Sequence, residues 1–263
     1  SVKNLRQCAS KSSPSKSTKN KINMMAIKVI TFDLDDTLWD VGPPLVRAEK
    51  NQNDWLRINR PKITSILDEQ VMLDFKKNIW NIYPELQHNV SQMRLKVLYE
   101  LQRDAGYSSE LALAGAKKAY EIFIKERCSV ELYSDVLETI RALHKDFILG
   151  ALTNGNADIF LTPVAKYFSF AYRAEDVGAS KPSPELFEAA RAHTNVTFKE
   201  IVHVGDDPTG DIEGAKQVGA KAIWVNRNGK SWKGRLDPDE EIHSFYELTK
   251  ALSKISRSLK KST

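Results

Sequence analysis

Three carboxylates crowd into five positions near the start of the chain, within the segment VITFDLDDTLWD that runs from Val29 to Asp40. The apolar residues before them predict a short buried strand whose C-terminal end opens onto polar side chains. Asp33 and Asp35 alternate with Leu34, so an extended backbone would place both carboxylates on the same side. Carboxylates packed this closely repel one another unless a divalent cation lies among them. The segment therefore indicates a metal-assisted site of the kind that phosphoryl transfer requires.

Three more polar clusters follow predicted strands further along the chain. They are Thr153-Asn154-Gly155, Ser180-Lys181-Pro182, and Gly205-Asp206-Asp207 with Asp211 close behind. Taken singly, each cluster has an ordinary explanation as a turn, a surface lysine or a helix N-cap. If the strands lie side by side in a parallel sheet, however, all four clusters share one rim, where open α/β sheets bind ligands. We therefore treat them as one candidate site.

The second half of the chain alternates short apolar strands with helices. This alternation is typical of a parallel sheet covered by helices on both faces. Strand patterns lie at residues 147–155, 170–178, 200–206 and 221–227. Helical patterns lie between and after them, at residues 135–145, 160–167, 184–193, 211–218 and 245–255. The predicted fold class is therefore α/β, with a Rossmann-like sheet to which the first strand also belongs.

Residues 41–130 have a different sequence pattern, in which apolar residues recur at helical spacing with charged residues between them. The pattern predicts an α-helical cap inserted after the first strand and entered through a hinge at Gly42-Pro43-Pro44. The domain prediction is a core formed by residues 25–40 and 131–249, the helical cap over 41–130, a disordered basic tail over 1–24 and a basic tail over 250–263.

The basic residues concentrate at the two ends of the chain. Of the 39 Lys and Arg residues, six lie in residues 1–23 and five in residues 250–263, where there are no acids, which leaves 28 against 34 Asp and Glu in between. An acidic body favours a small-molecule partner over nucleic acid. The composition predicts no membrane span, and two cysteines, Cys8 and Cys128, suggest a reducing, cytoplasmic location. The N-terminal tail is compatible with a targeting segment, an expression remnant or an extended reading frame, and the oligomeric state stays open.

In combination and in order, the four clusters resemble the motifs of the haloacid dehalogenase-like hydrolase superfamily, over about residues 27–228. The resemblance implies that Asp33 is a nucleophile, which would split hydrolysis into two steps through an aspartyl-phosphate. It implies that Asp35 is the general acid and base for the leaving group and the attacking water. Thr153, Asn154 and Lys181 would bind the phosphoryl group, with Lys181 offsetting its charge.

The cofactor implied by the resemblance is Mg²⁺, a cation that prefers oxygen ligands. The side chain of Asp33, the backbone carbonyl of Asp35 and the side chain of Asp206 would hold it. Asp207 or Asp211 would orient a metal-bound water or Lys181, and the sequence does not choose between them. Asp36, the third carboxylate of the first cluster, is left to the turn that leads into the cap.

The insertion matches the cap of the family's C1 class, which closes over the phosphate site. The segments FDLDDTLWD, PELQHNVSQMR, TNGNADI, YRAEDVGASKP and HVGDDPTGDIEGA are similar to bacterial phosphatases that act on flavin mononucleotide and on the phosphorylated ribitylaminouracil of riboflavin synthesis. The alternatives are a broad-range nucleotide or sugar-phosphate phosphatase, a sugar phosphomutase, and a non-catalytic binding protein on the same scaffold. Dehalogenation is disfavoured, because a halide leaves without a proton and would make Asp35, Asp206 and Asp207 superfluous.

Overall fold

The centre of the computed structural model, which describes residues 27–64, 67 and 69–261, is a six-stranded parallel sheet. The order of the strands across it is β3-β2-β1-β4-β5-β6, so that the first strand lies between the second and the fourth. All neighbouring strands run parallel, and the predicted α/β fold that includes the first strand is confirmed. The strands are β1 (Val29–Phe32), β2 (Ile148–Thr153), β3 (Phe170–Arg173), β4 (Ile201–Gly205), β5 (Lys221–Val225) and β6 (Glu240–Ile242).

Helices cover both faces of this sheet, because its central strand is apolar on both sides. Phe32 of β1 belongs to an apolar cluster with Leu252, whereas Val29 belongs to a second cluster with Leu186 on the opposite face. Near-continuous apolar strands of this kind need cover on two faces. The covering helices are α5 (Val136–Leu143) and α9 (Leu248–Lys261) on one face, and α7 (Glu185–Thr194) and α8 (Gly214–Gln217) on the other, while the short α6 (Ala174–Val177) follows β3.

Between β1 and α5 the described residues form four helices, which pack around an apolar core of their own that includes Leu56, Leu98 and Ala119. We call this segment the helical insertion. Its entry and exit are tied together, since Trp39 bridges to Leu132 and the Tyr133 amide donates to the Leu38 carbonyl at 3.0 Å. The insertion therefore starts and ends beside the C-terminal end of β1. Its helices are α1 (Gly42–Asn59), α2 (Glu69–Ile82), α3 (Val90–Asp104) and α4 (Ser109–Arg127).

Several predicted local structures differ from what the structure contains. Gly42-Pro43-Pro44 is not a hinge but the first turn of α1, where proline is tolerated because those backbone N–H groups have no helical partner. The helix predicted at 160–167 is two short 3₁₀ turns, at Ile159–Leu161 and Ala165–Tyr167. The helix predicted at 211–218 begins earlier, with a wide π-helical turn over Pro208–Glu213 that leads into α8.

The two predicted tails have different outcomes. The disordered basic tail over residues 1–24 lies outside the described residues. The structure corrects the basic tail over 250–263, because residues 250–261 continue α9 and bury Leu252 and Ile255 against the sheet. Together with Leu248 these residues recur at helical spacing, a pattern that the lysines between them conceal. Within the described ranges, no helix combines the length and the apolarity needed to cross a bilayer.

Candidate active site

Lys181 joins two carboxylates at the centre of the rim formed by the C-terminal ends of the strands. Its Nζ donates to Asp33 Oδ1 at 2.7 Å, to Asp211 Oδ1 at 2.6 Å and to the Leu152 carbonyl at 2.6 Å. The lysine side chain is only 2 % exposed, so the cation has been taken out of water and relies on these three acceptors. Asp33 reaches it because β1 ends at Phe32, next to β4, where the Asp33 amide donates to the Val204 carbonyl at 2.9 Å.

The three charges of this centre shift one another's pKa in opposite directions. Burial alone would lower the pKa of Lys181, but the carboxylates of Asp211 and Asp33 outweigh it and raise that pKa. Burial raises the pKa of Asp33 against the opposing charge of Lys181. For Asp211 the balance is reversed, since Lys181 and the hydrogen bond with His203 hold its pKa below the usual value despite burial. Lys181 therefore favours the charged form of Asp211, whereas burial works against the charge of Asp33.

His203 is a part of the site that the sequence analysis missed. It lies on β4, fully buried, with Nε2 3.2 Å from Asp211 Oδ1 and Nδ1 2.9 Å from Thr31 Oγ1. Burial lowers its pKa, so the ring is neutral. Because an ionised carboxylate can only accept, Nε2 carries the proton and Nδ1 accepts from the Thr31 hydroxyl. The sequence feature that could have identified His203 is a polar residue between two valines in an otherwise apolar strand.

Asp206 approaches the same centre from the end of β4. One carboxylate oxygen from each of Asp33, Asp206 and Asp211 lies within 4.8 Å of the other two. The Asp206 carboxylate accepts from the Thr37 hydroxyl at 3.1 Å, and its backbone carbonyl accepts from the Trp224 indole at 2.9 Å. Burial and the charge of Asp211 raise its pKa to about 7. A cluster of carboxylate oxygens whose ionisation is disfavoured fits a hard divalent cation such as Mg²⁺.

The acids whose roles the sequence left open occupy different positions. Asp211 contacts Lys181, whereas Asp207 caps the following turn, its Oδ1 accepting from the backbone amides of Thr209 at 2.8 Å and Gly210 at 2.5 Å. The Asp207 amide in turn donates to Asp211 Oδ2 at 2.9 Å. Asp207 thus shapes the loop, and Asp211 is the carboxylate that touches the predicted phosphate-binding lysine.

The loop after β2 holds the other predicted phosphate-binding residues. Thr153 Oγ1 accepts from the Gly155 amide at 3.0 Å. The side chain of Asn154 is used as a brace, because it donates to the Lys181 carbonyl at 3.0 Å and accepts from the Lys181 amide at 2.7 Å. A Cβ at Gly155 would lie 2.7 Å from Asp35 Oδ2, so only glycine lets the loop approach Asp35 this closely.

Asp35 is held by a residue of the helical insertion that the sequence analysis also missed. Its Oδ1 accepts from the Trp39 indole at 2.9 Å, and its Oδ2 forms a short ion pair with Nη2 of Arg127. Arg127 is the last residue of α4, and its side chain is 3 % exposed. Asp36, by contrast, turns away and accepts from the Val41 amide at 3.1 Å, in a left-handed turn with φ of 59°. That is the structural role left to it by the resemblance.

Among the cavities of the described residues, one borders Asp206 and another lies within the helical insertion. A polar cavity of about 370 Å³ borders Asp206 and includes Asp36, Asp40, Arg227 and Lys230 in its wall. A largely apolar cavity of about 210 Å³ lies within the helical insertion, between Trp80 and Arg94 among others. Neither of these cavities is lined by Asp33 or Asp35, whose side chains are 13 % and 22 % exposed.

A parallel sheet with an acidic rim and an insertion after its first strand defines the haloacid dehalogenase-like hydrolases. A sequence model of that family matches residues 27–219, and the chain belongs to the family. The resemblance inferred from the four clusters is thereby confirmed.

The proteins that are similar to this chain carry the names of different enzyme activities. The chain is 36 % identical over 227 residues to the 5-amino-6-(5-phospho-D-ribitylamino)uracil phosphatase YigB of Escherichia coli, covering 85 % of this chain and 95 % of that protein. It is 27 % identical to a glyceraldehyde 3-phosphate phosphatase of Pyrococcus furiosus, covering 86 % and 90 %. A crystal structure named as a 2-haloacid dehalogenase from Pseudomonas syringae pv. tomato is 40 % identical with a TM-score of 0.83, covering 87 % and 99 %.

Proposed function

We propose that this chain is a Mg²⁺-dependent phosphomonoester hydrolase that works through an aspartyl-phosphate on Asp33. The observation that carries the proposal is that buried Lys181 pairs with Asp33 and Asp211, while one carboxylate oxygen each of Asp33, Asp206 and Asp211 lies within 4.8 Å of the others. This arrangement puts a carboxylate nucleophile, a fixed cation and a second metal-binding carboxylate at one point. Such a centre stabilises the charge that develops on a transferring phosphoryl group.

The first step forms a bond between an Asp33 oxygen and phosphorus while the ester P–O bond breaks. Asp35 enters this step protonated, gives its proton to the departing alkoxide and becomes the carboxylate that pairs with Arg127 and accepts from the Trp39 indole. In the second step a water attacks phosphorus and gives its proton to Asp35, which releases phosphate and regenerates the Asp33 carboxylate. Throughout, Lys181 and the loop at Thr153 offset the charge of the phosphoryl oxygens.

Mg²⁺ would be held by the side chains of Asp33 and Asp206 and by the backbone carbonyl of Asp35. When bound, it would supply positive charge at the phosphoryl oxygens and keep the Asp33 carboxylate ionised. The chain's own contribution is to keep Asp211 away from that task, since the Asp211 oxygens already accept from Lys181, His203 and the Asp207 amide.

A phosphate ester is favoured over a haloalkanoic acid as the substrate, although one similar crystal structure carries a dehalogenase name. Halide departure needs neither a proton nor a metal, so it gives Asp35 and Asp206 no task. Both carboxylates here have specific donors, Arg127 and Trp39 for Asp35 and Thr37 for Asp206. The chemistry that uses both is hydrolysis of a monoester with a poor leaving group.

We infer that the substrate is a small phosphorylated metabolite, either the phosphorylated ribitylaminouracil of riboflavin synthesis or flavin mononucleotide. The name of the Escherichia coli relative, which matches nearly its whole length, supports this choice. The second candidate is a broad-range sugar-phosphate phosphatase, which the glyceraldehyde 3-phosphate phosphatase relatives favour. A cytoplasmic location accords with Cys128, which is a buried free thiol.

The test measures phosphate release by the purified protein with Mg²⁺ from flavin mononucleotide, the ribitylaminouracil phosphate and hexose phosphates. A parallel assay measures chloride release from 2-chloropropionate. We expect the two ribityl esters to be turned over fastest and Asp33→Asn to abolish release. Equal or faster turnover of hexose phosphates would select the broad-range alternative. Chloride release without phosphatase activity would reject the phosphatase, and activity that survives Asp33→Asn would reject the nucleophile.

A further inference from the structure

His203 and Thr31 form a polar pair inside the sheet, next to the rim on which Lys181 lies. The two residues are partners in the parallel register of β4 and β1, and both are fully buried. Burying polar groups is unfavourable unless they are hydrogen-bonded, and an apolar residue between Val202 and Val204 would avoid that cost. Packing alone therefore does not account for the pair.

The ring of His203 connects Thr31 to Asp211. Its Nδ1 lies 2.9 Å from Thr31 Oγ1, and its Nε2 lies 3.2 Å from Asp211 Oδ1. The ring of Phe187 contacts it edge to face, with the centroids 5.1 Å apart, which restricts the plane of the imidazole. A neutral imidazole donates from one nitrogen only, so Nδ1 accepts from the Thr31 hydroxyl and the hydrogen is on Nε2. His203 therefore directs a fixed donor at one oxygen of Asp211.

The carboxylate of Asp211 needs such a donor, because rotation about the last bond of an aspartate side chain is only weakly restricted. Besides Lys181, two donors restrict this rotation: Oδ1 accepts from His203, and Oδ2 accepts from the Asp207 amide at 2.9 Å. Together they hold Oδ1 at 2.6 Å from Nζ of Lys181. Without His203, Lys181 would be the one donor to Oδ1 that the described residues provide.

Lys181 depends on Asp211 most at the moment when Asp33 reacts. Its ammonium group has three N–H donors, and they serve Asp33, Asp211 and the Leu152 carbonyl. In the proposed reaction the Asp33 carboxylate gives up negative charge as it bonds to phosphorus, so it holds the lysine less strongly. The transferring phosphoryl group also competes for one of the three donors. Asp211 and the Leu152 carbonyl are then the contacts that keep the cation in place.

We propose that His203 is a positioning residue, which fixes Asp211 and through it the ammonium group of Lys181 for the transition state of phosphoryl transfer. The proposal rests on the proposed phosphatase function. Thr31 lies two residues before Asp33, so the segment that supplies the nucleophile also orients the ring that fixes the lysine. Because this support matters most in the transition state, its loss should lower kcat and leave KM nearly unchanged.

The experiment measures Mg²⁺-dependent hydrolysis of p-nitrophenyl phosphate and, by calorimetry, the binding of orthovanadate. Vanadate adopts the five-coordinate geometry of a phosphoryl group in transfer, so its affinity reports on the transition state without turnover. Removing a group that orients a functional side chain typically lowers activity by about 10- to 100-fold, and we expect a loss of kcat of that size in His203→Leu. The dissociation constant of vanadate should rise by a similar factor, while KM stays within about twofold of the wild-type value.

Conservative variants separate positioning from packing. The amide nitrogen of glutamine can take the place of Nε2, so His203→Gln should recover most of the kcat that His203→Leu loses. The shorter asparagine reaches only the place of Nδ1, so His203→Asn should not recover it. Thr31→Val removes the hydroxyl that fixes the ring and should lower kcat by less than His203→Leu, whereas Thr31→Ser should preserve it. The ¹⁵N resonances of His203, assigned by their loss in His203→Gln, should show the hydrogen on Nε2.

The matched control is His193→Leu. His193 also bonds a hydroxyl group, with Nδ1 3.0 Å from Tyr172 Oη, but it is exposed on α7 and this hydrogen bond does not involve the site. The control should leave kcat and the affinity for vanadate unchanged. Melting temperatures of all variants separate lost positioning from lost folding. If His203→Leu does not fold, the pairs His203→Gln with His203→Asn and Thr31→Val with Thr31→Ser decide by the same criteria.

Several results would overturn the positioning role. They are a kcat of His203→Leu within about threefold of wild type, a raised KM with kcat preserved, and a hydrogen on Nδ1 instead of Nε2. A His203→Gln variant that is as impaired as His203→Leu at an unchanged melting temperature would also reject it. Wild type that hydrolyses no phosphate monoester would reject the proposed phosphatase itself, whereas an active wild type with unaffected His203 variants would reject the positioning role alone.

Discussion

Replacing Lys181 by methionine tests the central arrangement of charges, because methionine is an unbranched side chain one atom shorter than lysine and lacks its cation. In the native protein Nζ serves Asp33 and Asp211 together, with contacts of 2.7 and 2.6 Å. Breaking a buried ion pair by removing one partner destabilises a protein by about 3–5 kcal/mol, since an uncompensated charge stays buried. We expect a loss of that size in the free energy of unfolding of metal-free Lys181→Met at pH 8.

The loss should shrink as the pH falls. In wild type the pKa of Asp211 is depressed, so the stability it contributes is present above the ordinary carboxyl pKa and disappears only in stronger acid. In the variant both carboxylates lack their cation, so their folded pKa values rise above the unfolded ones. The variant is then destabilised increasingly as the pH rises through those raised values, and it recovers as the carboxylates take up protons.

Urea unfolding with a chelator, at pH 5.5 and pH 8, measures this difference. Lys118→Met is the matched control, because Lys118 is 56 % exposed and pairs only with Glu121 three residues away, so its effect should stay within about 0.5 kcal/mol at both pH values. The double variant Lys181→Met/Asp211→Asn should regain part of the lost stability. In the phosphatase assay, Lys181→Met should lower kcat by about 10²–10³-fold. A destabilisation that does not depend on pH, or a kcat within tenfold of wild type, would refute this account of the site.

Three further predictions follow from other contacts of the site and its support. Burial raises the pKa of Asp206 to about 7 and also raises the pKa of Asp33, so Mg²⁺ binding should release protons at pH 7 and fewer at pH 8.5; calorimetry in buffers of different ionisation heat checks this. Gly155→Ala would place a Cβ 2.7 Å from Asp35 Oδ2, so kcat should fall at least about tenfold while the melting temperature changes little. Asp135→Ala should destabilise by about 3–5 kcal/mol at neutral pH, because buried Asp135 accepts from Arg227 through two 3.0 Å bonds. Burial alone would raise the pKa of Asp135, but its hydrogen bonds keep that pKa below the usual value. The contribution of Asp135 to the free energy of unfolding is therefore present above about pH 4 and fades below it, which urea titrations measure.

The strands and the four polar clusters could be predicted from the sequence because their signal is local. A short apolar run that ends in Asp or Thr-Asn-Gly specifies both a buried strand and the polar end of it. The parallel order of β1, β2 and β4 then brings residues 33, 153 and 206 to one rim without any knowledge of individual contacts. The strand that escaped prediction, β6, is only three residues long and reads Glu-Glu-Ile, which has neither alternation nor an apolar run.

The residues that the sequence concealed act through partners far away along the chain. Arg127 stands in the run KER at the end of an amphipathic helix, where a basic residue is ordinary, and its partner Asp35 is 92 positions earlier. His203 is a single polar residue in a strand, and it gains meaning only when β1 supplies Thr31 beside it. Local pattern predicts what kind of element a residue belongs to, whereas partnership between elements depends on the packing of the whole chain.

Four aspartates of identical chemistry have become different groups in this site because each has different neighbours. Asp211 faces Lys181, His203 and a backbone amide, and stays ionised. Asp206 has a single hydroxyl donor, Thr37, to its carboxylate and therefore accepts a cation or a proton. Asp33 shares its lysine with Asp211, so its charge depends on what else arrives. The side-chain partners of these three aspartates, which are Lys181, His203, Thr37 and the Asp207 amide, lie outside the helical insertion.

Asp35 is the exception, because one of its two donors is carried by the helical insertion. Arg127 is the last residue of α4, so a rigid movement of the insertion either draws Asp35 along or breaks the ion pair. In the proposed reaction, Asp35 is also the group that exchanges a proton with the leaving group and with water. The position of the insertion and the proton exchange of Asp35 are thus coupled through the Arg127 ion pair, whereas the hydrogen bonds of Lys181 go to Asp33, Asp211 and the Leu152 carbonyl, outside the insertion.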